Sequence, residues 1–214
     1  MLKDKHSLLL YAIADRKCIG DRDICKAVED AIKGGATMIE LRDKSLSERE
    51  LIREAKAVKE VCTAAGVPLI VNDNFRAALV AGADGVHVGL HDSPVNVVRS
   101  MAGDKLIICA TAKTVSQARA AKKGGADFLA LGPVFPDPDR SPDARITPEL
   151  FREIASDGDL PCVALGGINK DNIMVLGGSG ASGFGIATAI FSAEDITAAT
   201  ENIRVLAETF GPHD

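Results

Sequence analysis

The sequence predicts an α/β chain folded as a (β/α)8 TIM barrel, and three observations carry that reading. Eight apolar, strand-like runs can be counted along the 214 residues. Segments with helical spacing alternate with those runs, which is the pattern of a parallel sheet. A short Gly-Ala turn recurs ahead of several runs, as if one unit had been copied. A count of eight favours closure into a barrel over an open sheet, and 214 residues sit near the lower end of the barrel range. One domain, residues 1–214, is expected, because no linker, low-complexity segment or composition break interrupts the chain.

The runs are Leu8 to Ala14, Met38 to Leu41, Leu69 to Val71, Gly85 to Leu90, Leu106 to Ala110, Phe128 to Leu131, Cys162 to Leu165 and Gly183 to Ala189. Helical spacing is read over Asp23 to Lys33, Glu48 to Ala65, Phe75 to Ala81, Val115 to Lys123 and Pro148 to Ala155. The internal repeat is GGATMIEL, GADGVHVG, GGADFLAL and GASGFGIA, starting at Gly34, Gly82, Gly124 and Gly180. Each Gly falls where a helix ends in a left-handed cap before the next strand. The repeats therefore mark the end of the barrel that serves stability, and chemistry is expected at the opposite, carboxyl ends of the strands.

At those ends the residues change character. The third and fourth runs stop at Asn72-Asp73 and near Asp92, so two consecutive parallel strands each deliver a carboxylate. Asp73 and Asp92 are expected to be neighbours. Such a pair suits a hard cation held by one or two carboxylates and completed by substrate phosphates, although Asp is also favoured as a helix N-cap or turn residue. The second run leads into Glu40, Arg42 and Lys44, which share one side of an extended segment and point together toward the mouth. Arg grips phosphate bidentately and Lys acts as a point charge, while the plainer alternative is a solvated strand end with mutual ion pairs.

Thr111 closes the fifth run, where its hydroxyl could bond a ligand or cap the helix starting near Thr114. The sixth run opens into Gly132 to Pro148, a long loop with five prolines that carries Asp137, Asp139, Arg140, Asp143 and Arg145; a loop of that length on this face is usually functional. The last two runs end in Gly166-Gly167-Ile168 and Ile186-Ala187-Thr188-Ala189, and backbone amides there frequently bind phosphate.

Composition narrows the function. A formal net charge of -5 without a basic run argues against nucleic acid as the partner. The amino-terminal apolar stretch is too short to span a membrane and has no signal-peptide pattern, so the protein is expected to be cytoplasmic. Five cysteines, odd in number and without CxxC spacing, read as buried or free thiols. The four histidines form no metal-ligand pattern, and His87, inside a strand, reads as a hydrogen-bonded core residue. No GxSxG, Cys-His constellation or Walker loop is present.

The series GGATMIELRDK, VPLIVNDN, GADGVHVGLHD, GGADFLALGPVFP, ALGGI and GASGFGIATAI resembles the thiamin phosphate synthase family over essentially the whole chain. The resemblance implies a Mg²⁺-dependent transferase. It would join an aminomethylpyrimidine diphosphate to a hydroxyethylthiazole phosphate, with small phosphorylated molecules as partners and a possible homo-oligomer. It further implies that Arg42, Lys44 and Asn72 hold the pyrimidine diphosphate, with Glu40 and Thr111 beside it. Asp73 and Asp92 would bind Mg²⁺, and Gly167 with the amides of Ala187 and Thr188 would cradle the thiazole phosphate. Arg42, Lys44 and Arg140 would be the catalytic cations.

The chain departs from the family in carrying Glu40 and Leu90 where Gln is usual, Thr111 where Ser is usual, and Asp137-Pro138-Asp139-Arg140 where the family has Thr-x-Thr-Lys. An ionised Asp accepts hydrogen bonds and repels an anion, and an acidic Glu40 near the pyrophosphate cations adds to this, so both anionic ligands should be weakened and slow or altered synthase activity is expected. The related thiazole tautomerase has lost its Mg²⁺ site and would carry a His at the position of Lys113. A non-catalytic barrel that binds a phosphorylated thiamin precursor is the third reading.

Overall fold

The structure, a computed structural model, describes residues 5–136, 145–157 and 159–209. Eight parallel strands close into a barrel in sequence order: β1 (Leu10–Asp15), β2 (Met38–Arg42), β3 (Leu69–Asn72), β4 (Gly85–Val88), β5 (Ile107–Ala112), β6 (Phe128–Leu131), β7 (Cys162–Leu165) and β8 (Gly183–Ile186). The expected (β/α)8 TIM barrel is thus the observed fold. Helices α1 (Arg16–Ile19), α2 (Ile24–Lys33), α3 (Glu48–Ala65), α4 (Phe75–Ala81), α5 (Val95–Ala102), α6 (Val115–Gly124), α7 (Pro148–Asp157), α8 (Thr188–Phe191) and α9 (Ile196–Glu208) lie between and after the strands. None of the described helices is long and apolar enough to cross a membrane.

Period-two alternation divides each strand's side chains between two cores. Tyr11, Met38, Ile70, Cys109, Phe128 and Val163 fill the barrel interior, with Phe128 edge-on to Tyr11 at 6.0 Å between ring centres. Leu10, Ile39, Leu69, Val86, Ile108 and Leu129 point outward against the helices and are wholly buried. Each such side chain removed from water contributes about 1.5–3 kcal/mol.

The repeat has a physical meaning that its glycines alone did not carry. In each copy the residue after Gly-Ala returns its N–H to the carbonyl of the preceding strand: Thr37 to Leu10, Asp84 to Leu69, Asp127 to Ile108 and Ser182 to Cys162, at 2.7–2.9 Å. Three of these residues also take that strand's own N–H on their side chains. Thr37 Oγ1 accepts from Leu10, Asp84 Oδ2 from Leu69 and Asp127 Oδ2 from Ile108. Lys59 and Arg99 then neutralise Asp84 and Asp127, each at 2.6 Å. This closes the amino end of the barrel.

Helix limits follow their caps. Ser47 and Glu50 form a capping box at the start of α3, and Gly66 ends it in the left-handed conformation. Most boundaries shift by one or two residues from the sequence reading, β1 starting at Leu10 instead of Leu8 and β5 running to Ala112 instead of Ala110 among them, and two bear on the open end. β8 stops at Ile186 instead of Ala189, because Thr188 begins the single turn of α8, and β4 stops at Val88 instead of Leu90, where the chain turns so that Asp92 can reach back to Gly89.

Candidate active site

The carboxyl ends of the strands bring Asp73 and Asp92 together. Asp73 follows β3 with φ 61°, a left-handed conformation uncommon for a residue with a Cβ. It is held there by its own N–H, which donates to the His87 carbonyl at 2.8 Å, and by Asn74 N–H, which donates to Asn72 at 2.7 Å across it. Asp92 reaches back so that its Oδ2 accepts the Gly89 N–H at 2.7 Å. A Cβ on Gly89 would lie 2.9 Å from that oxygen, so a side chain there would displace the Asp92 carboxyl. Neither carboxylate caps a helix: Asn74 caps α4, and Pro94 precedes α5. Burial and then the adjoining Asp73 push the Asp92 carboxyl above its ordinary range, against the Gly89 amide and Lys44. Two adjoining carboxyl groups present the hard oxygen donors a divalent cation takes.

One cation lies beside them, and a second ends the neighbouring strand β2. Lys44 Nζ sits 3.1 Å from Asp73 Oδ2 and remains largely exposed. Arg42 pairs through Nη1 with Asp15, a residue at the end of β1 that sequence reasoning missed. Asp15 faces Arg42 in the strand register and also caps α1, with its Oδ1 accepting the Lys17 N–H. The signal for it was a carboxylate closing the first strand, legible as functional only once β1 and β2 are paired.

Glu40 corrects the expectation that three charged side chains point together toward the mouth. It is 1% exposed and bonds His87 Nδ1 through Oε2 at 3.0 Å, while Arg42 and Lys44 turn to other partners. The alternation placed it on the right side of the strand, but one layer deeper than the cations. His87 is the hydrogen-bonded core residue expected of it, and its Nε2 lies 3.0 Å from Thr111 Oγ1. Burial disfavours the imidazolium, but Cys109 and Glu40 outweigh it and hold His87 well above its ordinary range. Burial in turn pushes the Cys109 thiol up, against His87. Thr111 is not the helix cap; Thr114 caps α6, accepting the Gln117 N–H at 3.2 Å.

Asn72 ends β3 half-buried at the rim. Across the mouth, Gly166 and Gly167 have φ 91° and 68°, and a Cβ on Gly167 would meet the Pro136 carbonyl at 2.7 Å. These glycines therefore let the β7 loop lie against the segment after β6, in addition to any approach by a ligand. Ala187 and Thr188 form the entry to α8, and Cys18 Sγ lies 3.6 Å from Thr188 Oγ1. Asp137, Asp139 and Arg140 lie outside the described residues, as does Asp143. The base of their loop is fixed by the Ile146 N–H, which donates to Pro133 at 2.8 Å.

Residues 10–190 match the family model described as thiamine monophosphate synthase. A thiamine-phosphate synthase of Coprothermobacter proteolyticus is 41% identical over 203 residues, covering 94% of this chain and 96% of that protein. One from Caldanaerobacter subterraneus subsp. tengcongensis is 43% identical over 195 residues, 91% of each. A solved thiamine phosphate pyrophosphorylase from Pyrococcus furiosus superimposes with a TM-score of 0.87 at 35% identity, over 96% of this chain and 98% of that one.

Proposed function

The chain belongs to the thiamine monophosphate synthase family, and from that premise we propose that the open end of the barrel joins an aminomethylpyrimidine diphosphate to a hydroxyethylthiazole phosphate, releasing pyrophosphate with the help of Mg²⁺. The meeting of Asp73 and Asp92 beside Lys44, with Arg42 paired to Asp15 at the same end of the barrel, carries this reading. It is the arrangement a diphosphate leaving group needs: oxygen donors for one divalent ion and cations for the remaining charge.

Arg42 keeps one edge on Asp15 and turns its remaining N–H donors to the diphosphate. Lys44, on a flexible and exposed stem, follows the charge as it moves onto the leaving group. Mg²⁺, when bound by Asp73 and Asp92, supplies further neutralisation of that charge. Asn72 and the Thr111 hydroxyl orient the pyrimidine. The amides of Gly167, Ala187 and Thr188 hold the thiazole phosphate opposite, and Arg140 adds a cation from the long loop. The C–O bond breaks with its electron pair going to pyrophosphate, and the thiazole nitrogen captures the resonance-stabilised pyrimidine methyl cation. That sequence needs no protein nucleophile. Glu40, buried and bonded to His87, lies below the anion path, so the expected weakening of activity falls to the acidic loop alone. The substrates are small phosphorylated molecules, and a cytoplasmic setting suits five free thiols.

The test is turnover with both substrates and Mg²⁺, quantifying thiamin phosphate and pyrophosphate together. Equal amounts of the two products, lost on chelation, support the reading. A folded protein that gives neither product overturns it.

A further inference from the structure

Glu40 and His87 lie on β2 and β4, which are not neighbours in the barrel, so the hydrogen bond between them crosses the interior past β3. His87 then spans to Thr111 on β5 with its other nitrogen, and both contacts are 3.0 Å. An imidazole bonded at both nitrogens cannot rotate without breaking one contact. Its main-chain carbonyl meanwhile receives the Asp73 N–H. Tyr11 on β1 faces Glu40, Cys109 on β5 faces both His87 and Glu40, and the Glu40–His87 bond is buried among them.

We infer that His87 is a positioning residue for the pyrimidine diphosphate: by tying Glu40, Thr111 and the Asp73 backbone into one unit, it fixes the floor on which the pyrimidine ring lies. A carboxylate oxygen accepts, so the Glu40 Oε2 contact is met by Nδ1–H. A hydroxyl donates or accepts, so the Thr111 contact stands whatever the proton count on Nε2. The role therefore depends on geometry and on none of these groups titrating. This inference rests on the reading above that Thr111 faces the pyrimidine.

Steady-state KM for each substrate, with thermal melting, on His87→Phe, Glu40→Gln and Thr111→Ala tests it. His87→Phe raises KM for the pyrimidine diphosphate by about 10-fold or more and leaves KM for the thiazole phosphate within about 3-fold, the scale of losing hydrogen bonds to one ligand only. Glu40→Gln keeps an oxygen for Nδ1–H and raises KM for the pyrimidine diphosphate less than His87→Phe does. If His87→Phe does not fold, the double variant His87→Phe/Glu40→Gln removes the unpaired buried charge and is measured in its place. A folded His87 variant with an unchanged KM for the pyrimidine diphosphate, or with both KM values raised alike, overturns the inference. Thr111→Ala separates the two layers of reasoning: a raised pyrimidine KM there with none in the His87 variant overturns the positioning role alone, whereas no change in either variant overturns the placement of the ring over Thr111.

Discussion

Two pairs of aspartates occupy opposite ends of the same barrel and are treated oppositely. At the amino end, Asp84 and Asp127 each accept an N–H at the start of a strand, from Leu69 and Ile108, and each face one cation, Lys59 or Arg99. At the carboxyl end, Asp73 and Asp92 adjoin each other, Asp73 in a left-handed backbone conformation and Lys44 a largely exposed companion. The residue type is the same, so the difference lies in the partners. A carboxylate whose hydrogen bonds and charge are met by fixed groups stabilises the fold, and one whose neighbour is another carboxylate costs stability and attracts a cation.

Four substitutions sharpen or break that contrast. Asp73→Ala removes a cation ligand from the leaving-group site, and kcat is expected to fall by about 10²–10⁴-fold, the scale of losing several kcal/mol of charge stabilisation; Mg²⁺ titrations of turnover measure it. Asp127→Ala strips Ile108 N–H and Arg99 of their partner, which costs roughly 2 kcal/mol and lowers Tm by about 4–8 °C, with kcat unchanged. Gly89→Ala pushes a methyl group toward Asp92 Oδ2; about a 10-fold drop in kcat with little change in Tm is expected for a misplaced ligand.

Asp92→Asn is the smallest effect and runs the other way. The Asp92 carboxyl is raised in the fold, so the folded state favours its protonated form. Its contribution to stability is present below the ordinary carboxylate range, about pH 4, and is lost as pH rises through the raised value. At neutral pH, without divalent cations, the Asn variant should therefore melt higher by about 1–3 °C, and the gain should fade on acidification. A gain that is the same at all pH values would contradict the like-charge explanation.

Much of the scaffold was legible because its signals are local. The limits of α3 and α4 could be read to the residue, since Gly66 and Gly82 mark their ends and amphipathic spacing fills them. Helices α1 and α8 escaped notice because four residues are too few to display a 3.6-residue period. Helix α5 was hidden by its valines, which read equally well as strand. At the open end, the meeting of Asp73 and Asp92 followed from strand order alone. The depth of Glu40 did not, because alternation tells which side a residue faces and not which layer it occupies. Asp15 needed the register between β1 and β2, and the Glu40–His87 bond needed barrel closure; both are long-range facts.

The most direct test places Asp73→Ala and Asp127→Ala in one chain and measures turnover and melting together. If the two ends of the barrel serve separate purposes, the double variant has the kcat of the Asp73 single and melts below that single by the same amount that Asp127→Ala alone lowers Tm, each within experimental error. A Tm loss in Asp73→Ala as large as that of Asp127→Ala, or a kcat in the double variant well below that of the Asp73 single, would contradict the division.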